Sequence, residues 1–146
     1  MKIAVLGCGG VGGYFGAKLV QSGNKVRFLA RGGQFEAIKR NGLTVKSPDE
    51  IIQLPSVDVF NRISDIGKQD LIILAVKAWQ IRDIAKFLKD HISEHTLILP
   101  LQNGVSTIDE LSDLLPRNQI LGGLCRIISQ IESPGIIRHS AVTPSI

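Results

Sequence analysis

Aromatic side chains make up only 5% of this 146-residue chain, with one tryptophan and one tyrosine. No basic run accompanies them, so the stacking platform and charged track of a nucleic-acid-binding surface are missing. The net charge of +4 comes from scattered lysines and arginines, which give at most a modest attraction for anions. Cysteine is scarce as well: Cys8 and Cys125 are the only two, too few for a disulfide framework or a cysteine metal cluster. No apolar run approaches membrane-spanning length, and Ile3 to Leu6 is too short for the core of a secretory signal. The expectation is a cytoplasmic protein with no nucleic-acid or membrane partner.

Against these deficits stand 44% hydrophobic residues, 21% charged residues and 15 glycines, a composition that folds. The length fits one domain over residues 1–146. Ile3-Ala4-Val5-Leu6 reads as a strand buried on both faces. Val11, Phe15, Leu19 and Val20 then recur at helical spacing until Ser22-Gly23-Asn24, and Val26 to Ala30 restarts as a strand. Strand, glycine turn, helix and strand within about thirty residues make a βαβ unit, whose crossover sets the strands parallel.

A short helix follows around Phe35 to Arg40, and residues 43–62 show no placeable strands. Leu71 to Val76 is the most apolar run and predicts a central strand, with a helix from about Gln80 to Ile92 and a strand over Thr96 to Leu101. Thr107-Ile108-Asp109-Glu110 spells a capping box for a helix running to Leu115. Apolar runs at 120–124 and 127–131 precede Ser133-Pro134-Gly135, a type II turn that predicts an antiparallel hairpin with Ile136 to Val142. The pattern is α/β: a Rossmann-type doubly wound, mostly parallel sheet with helices on both faces and a C-terminal antiparallel hairpin.

Gly7-Cys8-Gly9-Gly10-Val11-Gly12 matches G-x-G-x-x-G between a buried strand and a helix, the context the dinucleotide fingerprint requires. Gly7 allows the tight turn, Gly9 the close approach of a pyrophosphate, and Gly12 close helix–strand packing. Helix N-terminal N–H groups then hold the anion. The second strand of such units carries an acid where NAD or FAD is bound, but here it ends in Arg31, which favours the 2′-phosphate of NADP(H).

Parallel strands bring their following loops to one edge, so Lys77 and the Gln102-Asn103-Gly104 turn converge on the glycine loop. Lys77 reads either as an anion contact or as an exposed loop lysine, and Asn103-Gly104 either as a site element or as plain turn chemistry. His91-Ile92-Ser93-Glu94-His95 matches a zinc peptidase pattern, but a strand starting at Thr96 leaves no helix to align both histidines, so no metal is expected.

Together, the opening Met1 to Gly12, the Val76-Lys77-Ala78-Trp79-Gln80 segment and Gln102-Asn103-Gly104-Val105 resemble the 2-dehydropantoate 2-reductase (ketopantoate reductase) family. The resemblance implies NADPH-dependent reduction of 2-dehydropantoate to pantoate, on the way to pantothenate and coenzyme A. It implies that Arg31 meets the 2′-phosphate, that Lys77 and Gln80 line the adenosine and ribose side, and that Asn103 lies near nicotinamide and substrate. The family also has a helical second domain supplying a Lys and a Glu to the substrate, and this chain has no matching positions. The isolated chain is therefore expected to be largely inactive, and apolar surface left uncovered allows a homodimer. Two alternatives stay open: a reductase of another 2-oxoacid, or a noncatalytic nucleotide-sensing module on the same fold.

Overall fold

A computed structural model describes residues 1–102 and 106–146. Five short strands, β1 (Lys2–Leu6), β2 (Lys25–Leu29), β5 (Asp58–Phe60), β6 (Leu71–Leu74) and β7 (Leu97–Pro100), form a parallel sheet. Their order is β5-β2-β1-β6-β7. The central strands are apolar on both faces because both faces are covered. Ile3 and Val5 of β1 join Tyr14 and Ala17 of α1 (Gly10–Gln21) in one cluster. Ala4 and Leu6 face the other way, onto Ile81, Ile84, Ala85 and Leu88 of α3 (Ile81–Leu88) and Leu111 of α4 (Thr107–Ser112). Helices thus lie on both faces, as expected.

The region that gave no strand pattern holds a second sheet. Strands β3 (Leu43–Lys46) and β4 (Ile51–Leu54) pair antiparallel, and β3 also runs parallel to β9 (Ile136–Ser145), which pairs antiparallel with β8 (Arg126–Ser133). The C-terminal hairpin is therefore one half of a four-stranded sheet ordered β4-β3-β9-β8. Its turn forms as expected, with Gly135 at φ +82°.

Four glycines of α1 fit the helix between the two sheets. Added Cβ atoms at Gly12 and Gly16 would strike Gly7, Ala75 and Val5, and the Phe28 ring, all of the first sheet and its loops. Those at Gly10 and Gly13 would strike the Ser129 backbone and Ile137 of the second. Spacing of four puts Gly12 and Gly16 on one helix face, and spacing of three puts Gly10 and Gly13 on another. Glu132 of β8 ties this sheet together by accepting bonds from Lys46 Nζ of β3 at 2.9 Å and Arg138 Nη2 of β9 at 2.7 Å.

Several boundaries differ from the sequence reading. Strand β6 stops at Leu74 and helix α3 at Leu88, where Lys89 to His91 turn away. Residues 121–125 form no strand, although Ile120 bridges Ile98 in parallel. The capping box does not form: Ser106 takes the N-cap position without a side-chain bond, and Thr107 lies one residue inside the helix, buried.

Candidate functional site

Leu6, Leu29, Leu74 and Pro100 close four neighbouring strands in register, so the loops that follow them share one edge of the sheet. The first is the glycine turn. Gly7 sits at φ +105°, and a Cβ there would meet the Ala75 carbonyl oxygen at 2.6 Å, so both conformation and space demand glycine. The Gly7 and Cys8 N–H groups both donate to the Leu29 carbonyl, at 3.1 and 3.0 Å, which folds the turn back over β2. Gln34 Nε2 donates to the Cys8 carbonyl at 2.9 Å, while its Oε1 accepts from Gly135 N at 3.0 Å. Because a trans peptide sets C=O and N–H in opposite directions, anchoring the Cys8 carbonyl fixes the Gly9 N–H as well.

Gly9 differs from its neighbours. An added Cβ would have nothing within 4 Å, and its φ of −88° suits any residue. Glycine at this place is explained neither by packing nor by backbone conformation. What it leaves open is space directly in front of α1, whose first-turn N–H groups have no intrahelical acceptor and whose first turn carries no acid.

That space is a trough. Its first part, roughly 250 Å³, is lined by Gly7 to Gly9, Leu29 to Arg31, Gln34, Ala75 to Lys77, Gln80, Ile84 and Ile131. Sharing Gly9, Ala75, Val76 and Lys77 with it, a second part of roughly 360 Å³ continues past Gly10 and Val11 to Leu101, Gln102 and Ser129. Among the described residues no carboxylate lines either part, whereas Arg31 and Lys77 do, both exposed. An open, acid-free trough flanked by two cations and a helix N-terminus suits an elongated anion.

The residues expected from sequence fall as follows. Gly7, Cys8, Gly9, Gly10, Val11, Gly12, Arg31, Lys77 and Gln80 come together at this edge, Gly12 as a packing residue behind the turn. Cys8 contributes backbone only: its thiol is buried in the core, and desolvation pushes its pKa up to about 12 despite the opposing bond with Gln34. Gln80 Oε1 accepts from Lys77 N at 3.1 Å and so shapes the β6 loop. Asn103 and Gly104 lie outside the described residues. His91 and His95 do not form a ligand pair: His91 stacks on Phe87 with its Nδ1 2.7 Å from the Phe87 carbonyl, and His95 is exposed beside Glu94.

Sequence reasoning missed Gln34, Gln102 as a side chain, Ser129 and Ile131. The last two belong to β8, which forms the outer wall of the trough. The one available signal was Gly10 and Gly13, which the dinucleotide fingerprint does not require and which only a close second layer explains.

Comparison with known proteins identifies the family and the fold. The family described as ketopantoate reductase PanE/ApbA matches residues 3–145. The chain belongs to that family. Among its relatives, a 2-dehydropantoate 2-reductase of Nostoc sp. is 36% identical over 138 residues, covering 94% of this chain and 43% of the relative. An uncharacterized oxidoreductase of Bacillus subtilis, YkpB, is 33% identical over 143 residues, covering 98% and 46%. Within the same ketopantoate reductase fold, the crystal structure of 2-dehydropantoate 2-reductase from Geobacter metallireducens superposes with a TM-score of 0.91 at 34% identity, covering 97% of this chain and 47% of that one. A ternary structure of D-mandelate dehydrogenase with NADH and anilino(oxo)acetate superposes at 0.85 with 28% identity, covering 95% and 45%. The chain spans somewhat under half the length of the relatives it matches.

Proposed function

We propose that residues 1–146 are the cofactor-binding domain of an NADPH-dependent reductase acting on a 2-oxoacid, with 2-dehydropantoate as the substrate. The observation that carries the reading is Gly9, a glycine that neither packing nor backbone requires, opening onto an acid-free helix N-terminus. In this assignment the pyrophosphate lies against the first turn of α1, held by N–H groups from Gly9 to Val11. Arg31 receives the 2′-phosphate, Lys77 and Gln80 line the adenosine and ribose side, and Asn103 is assigned to the nicotinamide and substrate, with Gly104 counted among the cofactor-binding residues. When bound, the reduced nicotinamide supplies a hydride to the substrate carbonyl.

NADPH is preferred to NADH on a specific ground. Arg31 follows β2 where a carboxylate would repel a 2′-phosphate, and no carboxylate among the described residues pairs with it. The D-mandelate dehydrogenase neighbour, solved with NADH, marks the alternative within the same fold. Half of the relatives' length has no counterpart in this sequence, and positioning of a 2-oxoacid over the cofactor can account for several kcal/mol of a barrier. The 146 residues alone are therefore expected to bind NADPH and to turn over little.

Calorimetric titration tests the cofactor assignment. NADPH should bind at least tenfold more tightly than NADH, and Arg31→Ala should cost NADPH about 1 to 3 kcal/mol, roughly ten- to a hundredfold, while leaving NADH unchanged. Equal affinity of the unmodified chain for both would end the assignment. Oxidation of NADPH, followed by absorbance with 2-dehydropantoate, tests the second expectation.

A further inference from the structure

The α3 face of the parallel sheet holds an opening of roughly 190 Å³ that shares no lining residue with the cofactor trough. Ala4 and Leu6 of β1 and Ile72 of β6 form its floor, with Ile66, Leu88 and Ile92 around them. All but Ile92 are buried core residues. Protein interiors pack with few voids larger than a water molecule, so an apolar opening of this size over core side chains leaves room for a further molecule. The opening is also preformed. Buried Gln69 donates from Nε2 to the Ile66 carbonyl at 2.9 Å and the Gly67 carbonyl at 3.4 Å, and Arg27 Nη1 donates to the Ile66 carbonyl as well. These bonds fix the 66–69 turn that forms one wall, so little ordering is left to be lost on binding.

Charge narrows the molecule. Lys68 and Gln69 line a second, polar cleft as well, roughly 530 Å³, together with Lys2, Lys25 and Arg27. Lys2 and Lys25 are register partners at the starts of β1 and β2, so their side chains leave the sheet on one face, the face of Ala4 and Leu6. Like charges set side by side in this way repel, and an anion between them relieves the repulsion. The nearby acids are otherwise placed. Asp58 lies 3.9 Å from Arg27, Asp70 accepts from the backbone N–H of Lys2, and Asp90 lines the α3 side of the opening. Lys2, Lys25 and Lys68 are exposed, and none of them is in a salt bridge among the described residues. An apolar void of about 150 Å³ accepts a benzene ring, which sets the scale of the occupant's hydrocarbon part.

We infer that this opening is a binding site for a small apolar carboxylic acid, its hydrocarbon part over Ala4, Leu6 and Ile72 and its carboxylate beside Lys68, facing Lys2 and Lys25. The site stands independently of the dinucleotide reading.

Phenylacetate, phenylacetamide and 2-phenylethylamine are suitable probes, each a benzyl group with an anionic, neutral or cationic head. They are titrated into the chain while its methyl and amide signals are followed by nuclear magnetic resonance. The methyl signals of Ile66, Ile72 and Leu88 should shift and saturate with phenylacetate. Phenylacetate should bind about two- to fivefold more tightly than phenylacetamide, the range of an exposed ion pair, and the amine should bind most weakly. Lys68→Gln, an exposed substitution that leaves the core intact, should narrow the preference for the acid while phenylacetamide binds as before. Absence of shifts at the three methyl groups with every probe overturns the inference. Equal affinity for acid and amide in the parent does so too, as does an unchanged preference in Lys68→Gln. Phenylacetate shifts confined to the amides of Gly9 to Val11 would place the acid in the cofactor trough and likewise overturn it.

Discussion

The two sheets reach the same trough by different routes. In the five-stranded sheet, β1, α1 and β2 follow one another within residues 2–29, so that each strand, turn and helix is specified locally. The four-stranded sheet joins Thr44 to Ile136 and Lys46 to Arg138, pairs more than ninety positions apart, and is secured by contacts that no local pattern encodes. Glu132 bridges Lys46 and Arg138, Gln34 bridges Cys8 and Gly135, and Gly10 and Gly13 admit β8 and β9 against α1. The lesson is that a glycine-rich turn can serve two purposes at adjacent positions. Gly10 and Gly12 make room for protein, whereas Gly9 makes room for something else.

The sharpest way to break that contrast is to add the same side chain at each. Gly12→Val should cost about 3 kcal/mol or more, because its Cβ would strike the Gly7 carbonyl and the side chains of Ala75 and Val5. Gly9→Val should stay within about 1 kcal/mol of the parent in chemical denaturation, the difference between glycine and valine at an N-cap. It should nevertheless bind NADPH at least about a hundredfold more weakly. Comparable destabilisation by both substitutions would erase the distinction.

Gln34→Ala probes the join between the sheets. It removes the partner of the Cys8 carbonyl and of the Gly135 N–H, and the expected loss is about 1 to 3 kcal/mol, seen as one cooperative transition. A variant as stable as the parent would mean that the two sheets hold together without this bridge.

The smallest effect concerns the second sheet alone. Bonding from Lys46 and then Arg138 holds the Glu132 carboxyl below its usual pKa. A group depressed in the folded state stabilises above its unfolded pKa and loses that contribution as pH falls through the folded value. The gap in Tm between the parent and Glu132→Gln should therefore be modest at pH 7, since the carboxylate is solvent-accessible, and should close below the ordinary carboxylate range. A gap that widens on acidification would reverse the assigned sign.

How much was legible follows the same division. The β1–α1–β2 unit, the turn at Gly135 and the convergence of Gly9, Arg31 and Lys77 were readable because each rests on spacing, alternation or turn chemistry within a few residues. Strands β3 and β4 were not, since each is only four residues long and the strand that joins their hairpin to the rest of the sheet, β9 beside β3, lies far along the chain. The capping box failed although its letters were right, because the chain enters α4 one residue earlier and buries Thr107. Gln102 and Ser129 were invisible as a pair, since only the packing of β8 across the trough relates them.

Amide hydrogen exchange with and without NADPH tests most directly the central claim that both sheets wall one cofactor site. Slowed exchange is predicted in two separate stretches, residues 7–13 of the glycine turn and residues 127–131 of β8, with residues 51–54 and 87–92 unchanged. Protection confined to the glycine turn, with β8 exchanging as before, would contradict it.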